Sequence, residues 1–294
     1  MWGKENFFQK VSFPHEKNEK TKKDTQKMRT AIDGLVLREM NSGENDKRLL
    51  VLTADKGKIW INAKGGRSIK SSKSAICRAF TYAEFEIYEK NNIVYLSGGS
   101  PTKAFFAYRT DIDGYALACY ITAICEEITG EEAEAEQILR ATLNTLYAIE
   151  NQLYPIEQIK SAYELFAASI SGLSPDLSGC ERCRKDFSGS DKLWLDVMNG
   201  NILCNECKSK VPTFIAENEI PVNEYKTRSL LLPLDAPSLM AMRYCVNAPT
   251  KRLFSFSIKD SESATLFYRA TESYLLNHLE RGFETLNFYY KIKD

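Results

Sequence analysis

At 294 residues the chain has room for about two domains at roughly 150 residues each. Its 44% hydrophobic and 11% aromatic side chains exclude wholesale disorder. Its 39 basic and 39 acidic residues exclude a uniformly basic coat for DNA.

Charge by segment is uneven. Residues 1–27 carry 7 basic and 4 acidic groups, 28–107 carry 13 and 8, 108–176 carry 3 and 12, and 177–294 carry 16 and 15. Residues 1–27 are Lys-rich without periodicity and are expected to be a disordered leader or a non-native extension. They lack the apolar stretch of a signal peptide. The chain has no run of about 18 apolar residues for a membrane span, so a cytoplasmic protein is expected.

Five short strands are predicted next, at Ile32–Arg38, Leu49–Thr53, Lys58–Ala63, Glu84–Tyr88 and Ile93–Leu96. In the third, Ile59 and Ile61 alternate with Lys58, Trp60 and Asn62. In the fourth, Phe85 and Ile87 oppose Glu84, Glu86 and Tyr88. Asn41-Ser42-Gly43, Asp55-Lys56-Gly57, Gly65-Gly66 and Asn91-Asn92 supply the turns. Five strands in this length suit a small closed barrel, with the OB-fold as the candidate.

Within these strands, Lys56 to Ala83 holds no acidic residue and seven cations: Lys56, Lys58, Lys64, Arg67, Lys70, Lys73 and Arg78. Glycines let a backbone approach closely, and serines and cations suit phosphate oxygens. Contact with nucleic acid, mainly independent of base sequence, is therefore expected; a solubilising loop is the alternative. Trp60, Tyr82 and Tyr88 are candidate stacking faces.

After Pro101 the period becomes helical. One helix carries Tyr115 to Ile128, and a second is expected from Glu131, with its glutamates in the opening turns. A third runs from about Ile156 to Ile170, and two more over 235–248 and 261–281. Ser261 is a candidate cap and Gly282 a stop. The adjacent acids Glu126-Glu127 and Glu131-Glu132 are read as a solvated face.

Cys180-Glu-Arg-Cys183 and Cys204-Asn-Glu-Cys207 form two pairs, each with two intervening residues. Each tight turn can aim two sulfurs at one point, and two turns supply the closed four-thiolate set that Zn²⁺ prefers. Two disulfides, four unrelated thiols or an iron–sulfur centre are the alternatives. A structural zinc ion is expected, because four protein ligands leave no position for a catalytic water. Cys77, Cys119, Cys125 and Cys245 lack such spacing and read as small buried apolar residues. Phosphate-binding, dinucleotide-binding and zinc-protease motifs are absent, and His15 and His278 are the two histidines. An enzyme is disfavoured.

The ordered set Thr30–Arg38, Gly43–Leu50, Leu52–Ile59 and Ala63–Ser68, followed by the cysteine quartet, resembles the RecO family of bacterial DNA-repair and recombination-mediator proteins. The resemblance spans about residues 29–215. It implies an α+β multidomain protein with an N-terminal OB-fold β-barrel at 28–105. A helical domain would follow at 106–294, carrying a zinc module at about 178–210. It implies binding of single- and double-stranded DNA and annealing of complementary strands. With RecR, it implies help in loading RecA onto strands coated by single-stranded-DNA-binding protein (SSB), without enzymatic activity. The family's basic face maps here onto Arg38, Lys47, Arg48, Lys56, Lys64, Arg67 and Lys70; Lys58 and Lys73 join them from the acid-free stretch. Two departures stand out: the 27-residue leader, and a helical segment too acidic to suit an acidic SSB tail. A zinc-containing interaction scaffold that does not touch DNA is the competing reading.

Overall fold

The computed structural model describes residues 29–68, 70–106, 111–131, 133–187, 192–210 and 230–293. The expected leader and Arg109 lie outside these residues. Packing divides the chain into two compact units, Met1–Leu153 with Phe283–Asp294, and Tyr154–Gly282.

In the first unit, β1 (Arg29–Ser42), β2 (Asp46–Thr53), β3 (Gly57–Ala63), β4 (Thr81–Lys90) and β5 (Ile93–Ala104) close into a barrel in the order β1-β2-β3-β5-β4. All five expected strands are present, each extending beyond its predicted bounds. Alternation builds the interior: Leu49, Val51, Ile61, Phe85 and Ile87 point inward and form one core with Val36 and Leu96. The β1 register shifts between Val36 and Arg38, so one extra residue re-aims Arg38 outward.

Helices α1 (Ile112–Ile128), α2 (Glu136–Glu150) and α7 (Glu284–Lys293) complete this unit. Asp111 caps α1, accepting from the Gly114 amide at 3.1 Å. The second helix starts at Glu136, not Glu131. Residues ahead of it are used otherwise: Glu131 bridges to Gly57, and the Ala135 amide donates to the Ala54 carbonyl at 2.7 Å. Gly57 has φ +59°, and a Cβ there would lie 2.3 Å from the Gly130 carbonyl oxygen. Glycine is thus needed both for the turn and for the close approach. Glu126 is not a freely solvated acid, because it pairs with Arg38 at 2.8 Å.

The second unit contains α3 (Ile156–Ile170), β6 (Asp176–Cys180), β7 (Leu193–Asp196), β8 (Asn201–Cys204), α4 (Asn205–Lys208), β9 (Leu231–Leu234), α5 (Ala236–Asn247) and α6 (Ser261–His278). Its four short strands form a sheet in the order β6-β8-β7-β9, which the sequence pattern does not announce. The cap of α6 is Asp260 rather than Ser261. The helices enclose a charged centre, where Lys160 reaches Glu164 at 3.0 Å and Glu272 at 2.6 Å. Among the described residues, no helix is long and apolar enough to cross a membrane.

Candidate metal centre and nucleic-acid interface

Strands β6 and β8 run parallel, with Cys180 opposite Ile202. Both strands end in cysteine, so their C-terminal ends bring Cys180 and Cys204 together. Each then turns sharply. After Cys180, the Arg184 amide donates back to the Cys180 carbonyl at 2.8 Å, and Arg184 adopts φ 57°. This turn carries Cys183. After Cys204, helix α4 begins, and the Cys207 amide donates to the Cys204 sulfur at 3.4 Å.

The four sulfurs lie within 4.8 Å of one another. Cys180, Cys204 and Cys207 are buried and Cys183 is exposed. Thiolates about 2.3 Å from a central ion would be about 3.8 Å apart in a tetrahedron, and Cys183 and Cys204 are separated by 3.8 Å. For Cys180, burial opposes ionisation, but amide donation from Cys183, Cys204 and Arg182 outweighs it and lowers the thiol to about 6. Hydrogen bonding with Cys204, then burial, pushes the Cys207 thiol up to about 12. A bound cation would favour all four thiolates together. The donor set and spacing therefore fit a metal ion. Phe187, Trp194 and Leu231 pack around the cluster.

The flanking cations are largely engaged elsewhere. Arg184 pairs with Glu181 at 3.2 Å, Arg182 donates to the Lys210 carbonyl at 3.4 Å, and the Lys208 ammonium sits 3.7 Å from the Trp194 ring centroid. Of the other cysteines, Cys77, Cys125 and Cys245 are buried, but Cys119 is only half-buried.

The expected basic residues of the barrel fall into distinct groups. Arg38 pairs with Glu126. Lys47 pairs with Glu39 and donates to the Cys77 carbonyl at 2.9 Å. Lys58 donates to the Glu126 carbonyl at 2.8 Å and Lys73 to the Leu96 carbonyl at 3.0 Å. Arg48, Lys64, Arg67 and Lys70 are exposed, although Arg67 also donates to the Gly43 carbonyl at 3.0 Å. Lys56 is exposed too, but lines a cavity with Asp33, Asp55, Glu84 and Glu136.

Strand pairing sets Arg48 opposite Asn62, Asn62 opposite Tyr95, and Tyr95 opposite Tyr88. This row runs across the outer barrel wall. The Tyr88 and Tyr95 rings stack with centroids 5.4 Å apart and 17° between planes. Lys64 lies 5.5 Å from the Tyr95 centroid, and Arg48 lies 4.4 Å from that of Trp60. Cations and half-buried rings are thus interleaved, as sequence-tolerant strand binding requires. Tyr82 is not part of this row, being 1% exposed. Tyr95 was missed by the sequence reading, although its alternation with Val94 and Leu96 places it outward. In the acidic segment, Arg140 pairs with Glu136 at 2.5 Å and Lys160 is buried, so neither is an open cation.

The family model described as "Recombination protein O N terminal" matches residues 28–105. The model described as "Recombination protein O C terminal" matches residues 109–287. A DNA repair protein RecO of Acetivibrio thermocellus is 25% identical over 255 residues, covering 87% of this chain and 94% of its own length. The protein of that name from Alkaliphilus metalliredigens is 29% identical over 175 residues, covering 60% of this chain and 70% of its own length. That of Halalkalibacterium halodurans is 23% identical over 234 residues, covering 80% and 84%.

Proposed function

The chain belongs to the RecO family of non-enzymatic recombination mediators, and on that premise we propose that its barrel binds single- and double-stranded DNA and anneals complementary strands. With RecR, it would help RecA replace SSB on single strands in the bacterial cytoplasm. Residues 28–105 form the DNA-binding domain in this reading, and 106–294 the helical domain with the metal module.

The observation that carries this reading is the outer row, where Arg48 and Lys64 lie against Trp60 and Tyr95. Exposed cations attract phosphates, and the rings offer faces to bases. Lys64, Arg67 and Lys70 extend the cationic rim. Arg38, Lys47, Lys58 and Lys73 contribute more weakly, since each is held by an internal partner. Lys56 sits among carboxylates, which counter phosphate attraction.

We assign Zn²⁺ to Cys180, Cys183, Cys204 and Cys207. Four soft thiolates at tetrahedral spacing favour it, and a full coordination sphere makes its role structural. When bound, it would cross-link the turns after β6 and β8. SSB is a partner in this reading, but among the described residues of 108–176 the two cations, Arg140 and Lys160, are both held by glutamates, which disfavours this segment as the dock for its acidic tail.

Titration with a labelled single-stranded oligonucleotide at several salt concentrations tests the proposal. Neutralising roughly 4–6 phosphates would give a log–log salt slope of about −3 to −4. A scaffold that does not touch DNA would show no saturable binding even at low salt. Strand annealing, with and without SSB, then tests the mediator role.

A further inference from the structure

A cavity of about 500 Å³ lies on the outer barrel wall, bounded by β1, β4, the turn between β2 and β3, and the start of α2. Its chemistry is opposite to that of the cationic row. Asp33 and Glu84 face each other directly across β1 and β4, and Asp55 and Glu136 also line it. Lys56 and the Glu136-paired Arg140 are the cations nearby. Carboxylates therefore outnumber cations around this space. Burial, and then the charge of Glu84, raise Asp33 above the ordinary aspartate range. A cation entering between the two would relieve that repulsion.

A second feature also points to a ligand. Tyr82 lines the cavity at 1% exposure, and its hydroxyl makes no hydrogen bond among the described residues. The phenol oxygen is thus open to a donor that enters the cavity beside the carboxylate pair. Ala31, Ile32, Ala54 and Leu139 give the same cavity apolar walls.

These features discriminate among cations. Among the described residues, the four cysteines form the one group with three or more ligand atoms close enough for a metal ion. The carboxylates here are too dispersed for a compact dication. An apolar sleeve leading to paired carboxylates suits an alkyl stem with a planar, multidentate head. We propose that this cavity receives an arginine side chain of a partner protein, its guanidinium donating to Asp33 and Glu84 and to the Tyr82 phenol oxygen, with its stem against Ala54 and Leu139. The site is separate from the DNA-binding reading and stands or falls without it.

Calorimetric titration of the full chain with N-acetyl-arginine methylamide tests this, with the citrulline analogue and spermidine as companion probes. Saturable binding of the arginine probe is expected, about tenfold tighter than citrulline, which keeps the shape but lacks the charge. The D33N/E84Q double variant should weaken arginine binding by about tenfold, and Tyr82→Phe by about threefold. Lys64→Ala should leave it unchanged. No saturable arginine binding, equal affinity for citrulline, or an unaffected D33N/E84Q variant would each overturn the proposal. Binding of spermidine without binding of arginine would overturn the assignment to a protein partner. If D33N/E84Q does not fold, Tyr82→Phe and the citrulline comparison on the unaltered chain decide.

Discussion

Arg48 lies across the face of Trp60, its guanidinium carbon 4.4 Å from the ring centroid. The two sit diagonally across β2 and β3, since Arg48 pairs with Asn62 and Trp60 with Leu50. The indole holds the arginine in place on an exposed wall, where a free side chain would sample many rotamers. Preorganisation of this kind lowers the entropy lost when a phosphate is bound.

This contact predicts separable effects on DNA binding. Arg48→Ala should weaken single-strand binding and make the salt slope shallower by about 1. Trp60→Ala should cost about 1–3 kcal/mol through lost stacking, with less change in slope. Fluorescence anisotropy at several salt concentrations separates the two. Equal slopes for Arg48→Ala and the parent chain would remove Arg48 from the interface.

The four-thiolate cluster predicts metal-dependent folding of its surroundings. Chelation, or Cys204→Ala, should release about one metal ion per chain and unfold the sheet around it, with structural metal binding worth on the order of 10 kcal/mol. Metal analysis together with hydrogen exchange over residues 176–208 reads both. Exchange protection that survives complete metal loss would count against a structural role.

The buried charges of the second unit predict an asymmetric response to mutation. Lys160 and Glu164 are 1% and 0% exposed, and Thr271 donates to Glu164 at 3.0 Å. Lys160→Met removes the cation but leaves the carboxylate buried, so it should cost about 3–5 kcal/mol. Lys160→Met with Glu164→Gln should recover part of the loss. Urea unfolding measures both, and a single-variant loss below about 1 kcal/mol would contradict the pairing.

Asp235 predicts acid sensitivity at the start of α5. Burial opposes its ionisation, but hydrogen bonds from the Ser263 hydroxyl at 2.5 Å and the Ser238 amide at 2.9 Å outweigh this and lower its pKa below 3.8. The folded state thus favours the carboxylate. This contribution is fully present above the ordinary aspartate range and is lost as pH falls below 3.8 through the depressed value. Thermal midpoints at about pH 5 and about pH 3 should fall further for the parent chain than for Asp235→Asn. Comparing the two removes the common effect of thiolate protonation at the metal site. Equal falls would show that Asp235 is not a source of the sensitivity.

Much of this was legible in local pattern. Alternation put Ile61 and Phe85 inside the barrel and Trp60 outside, because side chains on a strand change face at each residue. Helical spacing marked Ile156–Ile170, and the cysteine pairs marked the metal centre. The sheet β6-β8-β7-β9 escaped notice because its strands are four or five residues long, too short for a period to emerge. The start of α2 was misplaced because backbone groups of residues 131 and 135 bond to residues 57 and 54, partners far away in sequence.

The chain's order of residues alone determined the ring of strands, the thiolate quartet and the cation-rich stretch, since periodicity and short spacing are local properties. Which cations remain open to a polyanion was decided only by tertiary structure. Arg38 meets Glu126 and Lys73 meets the Leu96 carbonyl only once the barrel closes and α1 packs on it. Charge availability depends on such distant partners, and no local spacing encodes them.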